Sequence, residues 1–167
     1  IRFNKILEPN IAWMANDISM LLKKKNIIGE YIVLIPGSSK KHKEKRWPYY
    51  KELAEKLLKE DFNVVSILVP DELDLENNIP GDIFSNLDLM ELVGIIKKSR
   101  FVIGNESGPS HIASCLRKRG IAVFGPTTSA TKSELARKPF QILETESLKD
   151  LKVSQVWRSI KILFSRF

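Results

Sequence analysis

Ser107 and His111 stand four residues apart in the run Gly104-Asn105-Glu106-Ser107-Gly108-Pro109-Ser110-His111, directly after the apolar Phe101-Val102-Ile103. The next apolar positions, Ile112 and Cys115, fall at helical spacing with His111. A second apolar run, Ile121-Ala122-Val123-Phe124, then stops at Gly125-Pro126. Strand, small-residue turn, helix and strand in this order place free backbone N–H groups and hydroxyls at a helix N-terminus. Such an end suits an anion, and in an enzyme the usual anion there is a phosphate. Ser107 can cap the helix and contact that phosphate, Gly108 leaves room for it, and Pro109 fits the first helical position. His111 can donate a hydrogen bond to an anionic or sugar oxygen, or can serve only a local hydrogen bond. Neither GxGxxG nor GxxxxGK[ST] occurs, so this is neither a dinucleotide fingerprint nor a P-loop. A hydrolase elbow is excluded as well, because Asn105 rather than Gly stands two residues before Ser107.

Two more constellations follow strands. Gly37-Ser38-Ser39 with Lys45-Arg46-Trp47 combines a backbone open to close approach, two hydroxyls and a point charge for a phosphate. The same residues also describe a plain strand-to-helix loop with solvated lysines. Trp47 is read as a packing residue at the helix start. Asp71-Glu72 offers carboxylates that can accept from ribose hydroxyls, or is an ordinary acidic loop. Cys115 reads as a small core residue.

The elements that must position these groups alternate. Residues 11–25 have the period of an amphipathic helix, with Ile11, Met14, Ile18, Leu21 and Leu22 on one face, and Gly29 ends it. Residues 31–35 are a fully apolar strand. A helix is predicted over 48–60, burying Tyr50, Leu53, Ala54, Leu57 and Leu58, then a strand over 64–69. Residues 73–86 show no clear period apart from a Pro80-Gly81 turn and a short Ile83-Phe84 segment. Asp88 opens a helix to residue 98 with Leu89, Leu92, Val93 and Ile96 inward. A strand over 101–104, a helix over 109–117, a strand over 121–124 and an irregular Thr/Ser-rich loop over 126–138 follow. A short strand over 140–143 precedes a closing helix over about 148–165, with Leu148, Leu151, Val156, Ile160 and Leu163 on its apolar face. Strands alternating with helices of this length mean βαβ units and a parallel sheet covered on both faces. Ligands bind such sheets at the carboxyl ends of the strands, where all three constellations fall.

Composition narrows the classes. The 167 residues, 43% hydrophobic, suffice for one core, and no run approaches the ~18–20 apolar residues of a membrane span. No secretory signal is recognisable. One cysteine excludes an internal disulfide and fits a reducing cytosol. A net charge of +7 favours anionic partners, but no aromatic RNA-binding signature, zinc-ligand spacing or helix-turn-helix accompanies it, so no nucleic acid partner is expected. Lys23-Lys24-Lys25 reads as a solvated helix end. Because the first residue is Ile, the chain is expected to be a fragment of a longer one or a processed product.

Ile35-Pro36-Gly37-Ser38-Ser39, Lys45-Arg46-Trp47-Pro48, the 104–111 run and Val123-Phe124-Gly125-Pro126-Thr127, in this order, resemble glycosyltransferase family 9 over about residues 30–145. That family transfers heptose from ADP-heptose onto the lipopolysaccharide core. The resemblance implies the C-terminal, donor-binding half of a GT-B glycosyltransferase, an α/β, Rossmann-like parallel sheet flanked by helices. It divides the chain into an entry helix (1–28), a nucleotide-sugar-binding domain (29–147) and a closing C-terminal helix (148–167). It puts Lys45 on the donor diphosphate or sugar, Ser107 and Gly108 on the diphosphate with His111 beside it, and Ser38 and Ser39 in the same pocket. Leu87 would pack on adenine and Glu72 hold the ribose. Glu106 stands where the family has Asp, on the sugar side. The stretch 128–133 replaces a Gly- and Tyr-containing one, and Leu68-Val69-Pro70 replaces Gly-Gly-Pro.

The implied chemistry is inverting displacement, in which a base deprotonates the acceptor while the protein stabilises the leaving diphosphate. The family's base and acceptor site lie in an N-terminal domain that this sequence does not contain, so that domain is an expected partner. The other expected partners are an ADP-sugar, a lipid-linked oligosaccharide acceptor and a peripheral contact at the inner face of the cytoplasmic membrane. Cytoplasmic localisation is expected, with no cofactor and no metal. Two other readings remain open: a catalytically inactive remnant or accessory binding module, and an epimerase-like enzyme of uridine nucleotide-sugars.

Overall fold

The computed structural model describes residues 9–76, 78–127 and 135–165. Among these, six parallel strands form one sheet: β1 (Tyr31–Ile35), β2 (Asn63–Leu68), β3 (Asp82–Ser85), β4 (Phe101–Asn105), β5 (Gly120–Phe124) and β6 (Phe140–Glu144). Their spatial order is β3-β2-β1-β4-β5-β6. The chain therefore winds outward in one direction through β3, crosses back over α3 (Leu89–Lys98), and winds the other way from β4. Right-handed crossovers with opposite winding put their helices on opposite faces. Accordingly α2 (Tyr50–Lys59) and α5 (Val153–Ser165) share one core with Ile32, Leu34, Phe101, Ile103 and Val123. The other core joins α1 (Ser19–Lys24), α3 and α4 (Gly108–Cys115) to Val33, Ile35, Val65, Val102 and Phe124. β1, β4 and β5 are buried at every position because helices cover both faces. The fold is thus the expected Rossmann-like α/β sheet, with its reversal of direction between β1 and β4.

The structure departs from the sequence expectations in five places. Residues 11–25 do not form one helix: a single 3-10 turn, Ala12–Met14, is separated from α1 by an extended stretch. Asp17 Oδ1 accepts from both the backbone N (2.9 Å) and Oγ (2.6 Å) of Ser19, so α1 starts afresh there. The extended stretch lies so close across α3 that a Cβ on Gly94 would sit 2.7 Å from the Asn16 carbonyl oxygen. A helix in its place would be too wide. Leu58 and Leu89 face solvent (39% and 54% exposed), each at the edge of its helix's apolar stripe. Cys115, the last residue of α4, is only half-buried, although Ala113 and Ser114 in the same turn are fully buried. The aperiodic 73–86 segment contains a 3-10 turn, Pro70–Leu75 at its start, and the edge strand β3. The closing helix begins at Val153, while Leu148 and Leu151 are buried in the loop before it. The expected loop residues 128–133 lie outside the described residues.

Other expectations hold. Asp88 caps α3 in a reciprocal box, accepting from Glu91 N at 2.8 Å while Glu91 Oε2 accepts from Asp88 N at 3.0 Å. Trp47 is 2% exposed and donates from Nε1 to the Leu151 carbonyl at 2.8 Å, a packing residue as read. Lys23, Lys24 and Lys25 are exposed. Among the described residues no helix is long and apolar enough to cross a membrane.

Candidate functional site

The loop after β1 is held by its own side chains. Its 3-10 turn, Lys40–Lys45, is kinked at His42. Ser38 is 2% exposed; its Oγ donates to the His42 carbonyl at 2.8 Å and accepts from Arg46 Nε at 3.3 Å. Arg46 also donates to the Ser38 carbonyl (3.1 Å) and to Asp74 Oδ2 (2.9 Å), fastening this loop to the one after β2. The Ser38 hydroxyl is therefore committed to the loop, whereas Ser39 is exposed. Gly37 is glycine for a different reason than expected. A Cβ there would sit 1.9 Å from the Glu72 carboxylate carbon, so the space opened next to the backbone holds Glu72 and not a ligand. Glu72 is 5% exposed and accepts from Val69 N at 3.1 Å.

Across the reversal point, β4 ends in Asn105, which is fully buried and uses both ends of its amide. Its Nδ2 donates to the carbonyls of Pro36 (2.7 Å) and Gly37 (3.2 Å). Its Oδ1 accepts from Trp47 N and Tyr50 OH, both at 3.1 Å. One side chain thus clamps both ends of the β1 loop to β4. Ser110 Oγ donates to the Asn105 carbonyl at 2.6 Å, and a Cβ on Gly104 would lie 2.4 Å from that oxygen, so α4 seats directly on β4. Ser107 is the N-cap residue of α4 with extended backbone, but its hydroxyl makes no capping bond. Helix geometry leaves the first-turn amides of Gly108 and Ser110 without an intrahelical acceptor. Pro109 takes the second helical position, one later than expected.

These loops enclose a cavity of about 360 Å³ at the carboxyl ends of β1, β2 and β4, within the ordinary range for small-molecule sites. Ser38, Ser39, Lys45, Glu72, Glu106, Ser107 and Gly108 all line it, as do His42, Val69 and Pro109. A Cβ on Gly108 would touch nothing within 4 Å, so the helix end opens into free space. Lys45 Nζ lies 2.9 Å from Glu106 Oε2, with the two side chains 19% and 17% exposed. That contact is an ion pair without hydrogen-bond alignment, and Glu106 Oε2 has no hydrogen-bond partner among the described residues. His111, half-buried, sits one turn into α4 and does not line the cavity. Burial pushes its pKa below the ordinary 6.5; the Glu106 carboxylate opposes this and Arg137 reinforces it. Leu87 also lies off the cavity wall, partly buried against the second core beyond Asn86. Cavities of similar size beside Gly94 and beside Trp157 lack this convergence of hydroxyls, charge and helix terminus. Among the described residues no three His, Cys, Asp or Glu side chains are grouped to hold a metal.

Asn105, Ser110 and the Arg46–Asp74 link were not singled out from sequence. A polar residue closing a fully apolar strand was the signal available for Asn105; the others announce themselves only through partners distant in the chain.

The arrangement suits a ligand with a diphosphate at the α4 terminus, a lysine beside it, and carboxylates on either side for hydroxyl groups. Similar proteins share the fold. E. coli ADP-heptose lps heptosyltransferase II matches with a TM-score of 0.77 at 20% identity, over 89% of this chain and 51% of its own. E. coli heptosyltransferase WaaC, solved with ADP, matches at 0.72 and 21% identity over 81% and 44%. A glycosyl transferase family 9 protein from Veillonella parvula DSM 2008 matches at 0.76 and 17% over 87% and 50%. The chain spans about half the length of each. No curated protein matches it in sequence. The sequence model of glycosyltransferase family 9 (heptosyltransferase) matches residues 9–157, nearly the whole chain, and the chain belongs to that family.

Proposed function

We propose that this domain binds the nucleotide-sugar donor, ADP-heptose or a close relative, for an inverting glycosyltransferase of lipopolysaccharide core assembly. The observation that carries the proposal is the cavity at the reversal point, where the unobstructed α4 terminus at Gly108 meets Lys45 and two carboxylates. The α4 amides and Lys45 would hold the diphosphate, stabilising the charge that develops as the sugar leaves. Ser39 and Ser107 would donate to its oxygens, while Ser38 acts through the loop it holds. Glu72 would accept from the ribose and Glu106 from the sugar. His111, one turn into α4 and off the cavity wall, would stay neutral near pH 7 beside the diphosphate. Leu87 would meet the adenine from the β3 side. The acceptor, and the base that deprotonates it, would come from an N-terminal acceptor-binding half, with residues 29–147 as the donor domain, 1–28 leading into it and 148–167 closing it. An acceptor on a lipid-linked oligosaccharide would place the assembled enzyme at the cytoplasmic face of a membrane.

Isothermal titration of the chain with ADP, ADP-heptose and UDP tests this. Binding of both adenine ligands in preference to UDP is the expected result. Absence of adenine-nucleotide binding, or a preference for UDP, would overturn it.

A further inference from the structure

We infer that Glu106 makes this site discriminate between a nucleotide-sugar and the bare nucleoside diphosphate left after transfer; this rests on the donor-binding reading above. Glu106 lies between the end of β4 and the start of α4, with Oε2 2.9 Å from Lys45 Nζ and both side chains largely buried. Lys45 alone would favour whichever ligand carries the most negative charge. Glu106 offsets it from within the same cavity.

The two ligands differ where this pair sits. In a nucleotide-sugar the terminal phosphate is esterified and the diphosphate carries two charges. In the free diphosphate that phosphate ionises once more near pH 6, placing a third charge at the position the sugar occupied. A carboxylate beside that position repels the third charge. The same carboxylate oxygen, Oε2, is buried against Lys45 without an aligned hydrogen bond, so when a donor opens the pair it would accept from a sugar hydroxyl. A phosphate oxygen, which only accepts, cannot satisfy it. Repulsion of the product and acceptance from the sugar thus act in the same direction, so the product is released as the site returns to the closed Lys45–Glu106 pair.

The test uses the intact chain and three ligands at pH 8: ADP, its β-methyl ester (two charges, no sugar) and ADP-heptose. Glu106→Gln should tighten ADP at least tenfold, about 1.4 kcal/mol, and the methyl ester less than threefold. It should weaken ADP-heptose. Glu106→Asp should keep the wild-type order of affinities. If Glu106→Gln does not fold, Glu106→Ala makes the same charge deletion and the same comparison. Equal changes for ADP and its methyl ester would overturn the inference while leaving the donor site standing. Failure of the wild-type chain to bind any of the three would overturn the donor reading itself.

Discussion

Replacing Gly108 by Ala separates folding from binding at this site more cleanly than any charge deletion. The added methyl meets no atom within 4 Å, and Gly108 is not in the left-handed region, so the fold has no steric objection. Gly-to-Ala at a permitted backbone stabilises by about 0.4–1 kcal/mol, chiefly by restricting the unfolded chain. For a domain of this size that raises Tm by about 1–4 °C. A diphosphate oxygen hydrogen-bonded to the α4 amides would occupy the same space as the methyl. Losing one charge-assisted hydrogen bond removes about 1.5–3 kcal/mol, or roughly 10- to 150-fold in Kd. Differential scanning calorimetry and isothermal titration with ADP on the same preparation read both effects. Gly104→Ala is the control: its methyl would collide with Ser110 Oγ at 2.4 Å, so it should lower Tm. A Gly108→Ala protein that is at least as stable as wild type and binds ADP equally well would refute the placement of the anion at α4.

Three further outcomes follow from the same geometry. Ser38→Ala should destabilise by about 1 kcal/mol, because its hydroxyl bonds His42 and Arg46, whereas Ser39→Ala should leave urea unfolding unchanged and weaken ADP binding several-fold. Asn105→Ala strands four buried partners and should cost about 3–5 kcal/mol, read as a lower urea midpoint at unchanged m-value. His111 titrates below 6.5 in the fold, so the unfolded chain takes up its proton first; its contribution to stability should be constant above about pH 6.5 and fall as pH drops below it. The difference between wild type and His111→Asn in urea unfolding from pH 5 to 7.5 measures that loss.

The alternation of strand and helix was legible because the central strands β1, β4 and β5 are buried on both faces and each long helix carries an apolar stripe. That pattern survives in sequence as runs of β-branched residues and as a 3.6-residue period. It failed where a local hydrogen bond outweighed periodicity. Residues 11–25 have a helical period, yet Asp17 takes the Ser19 amide and the chain crosses α3 extended at Gly94. It failed also for β3, an edge strand of four residues in which only Phe84 is fully buried, leaving too little alternation to read.

The site was legible as a set of residue types, less so as a set of roles. Seven of the nine side chains singled out line one cavity, because strands of a parallel sheet deliver their loops to one rim whatever the detailed packing. Which hydroxyl or glycine is free for a ligand depends on contacts across large sequence separations. Gly37 and Gly108 look alike in sequence, each next to serine at a strand-to-helix turn. In space one is filled by Glu72 and the other opens into the cavity. Asn105 reaches Trp47 across 58 residues, and Arg46 reaches Asp74 across 28. Those links hold the β1 loop, the β2 loop and α4 in place before any ligand arrives. The ordering cost of the loops is therefore met in folding, and a donor bound as proposed would have only to displace Glu106 from Lys45.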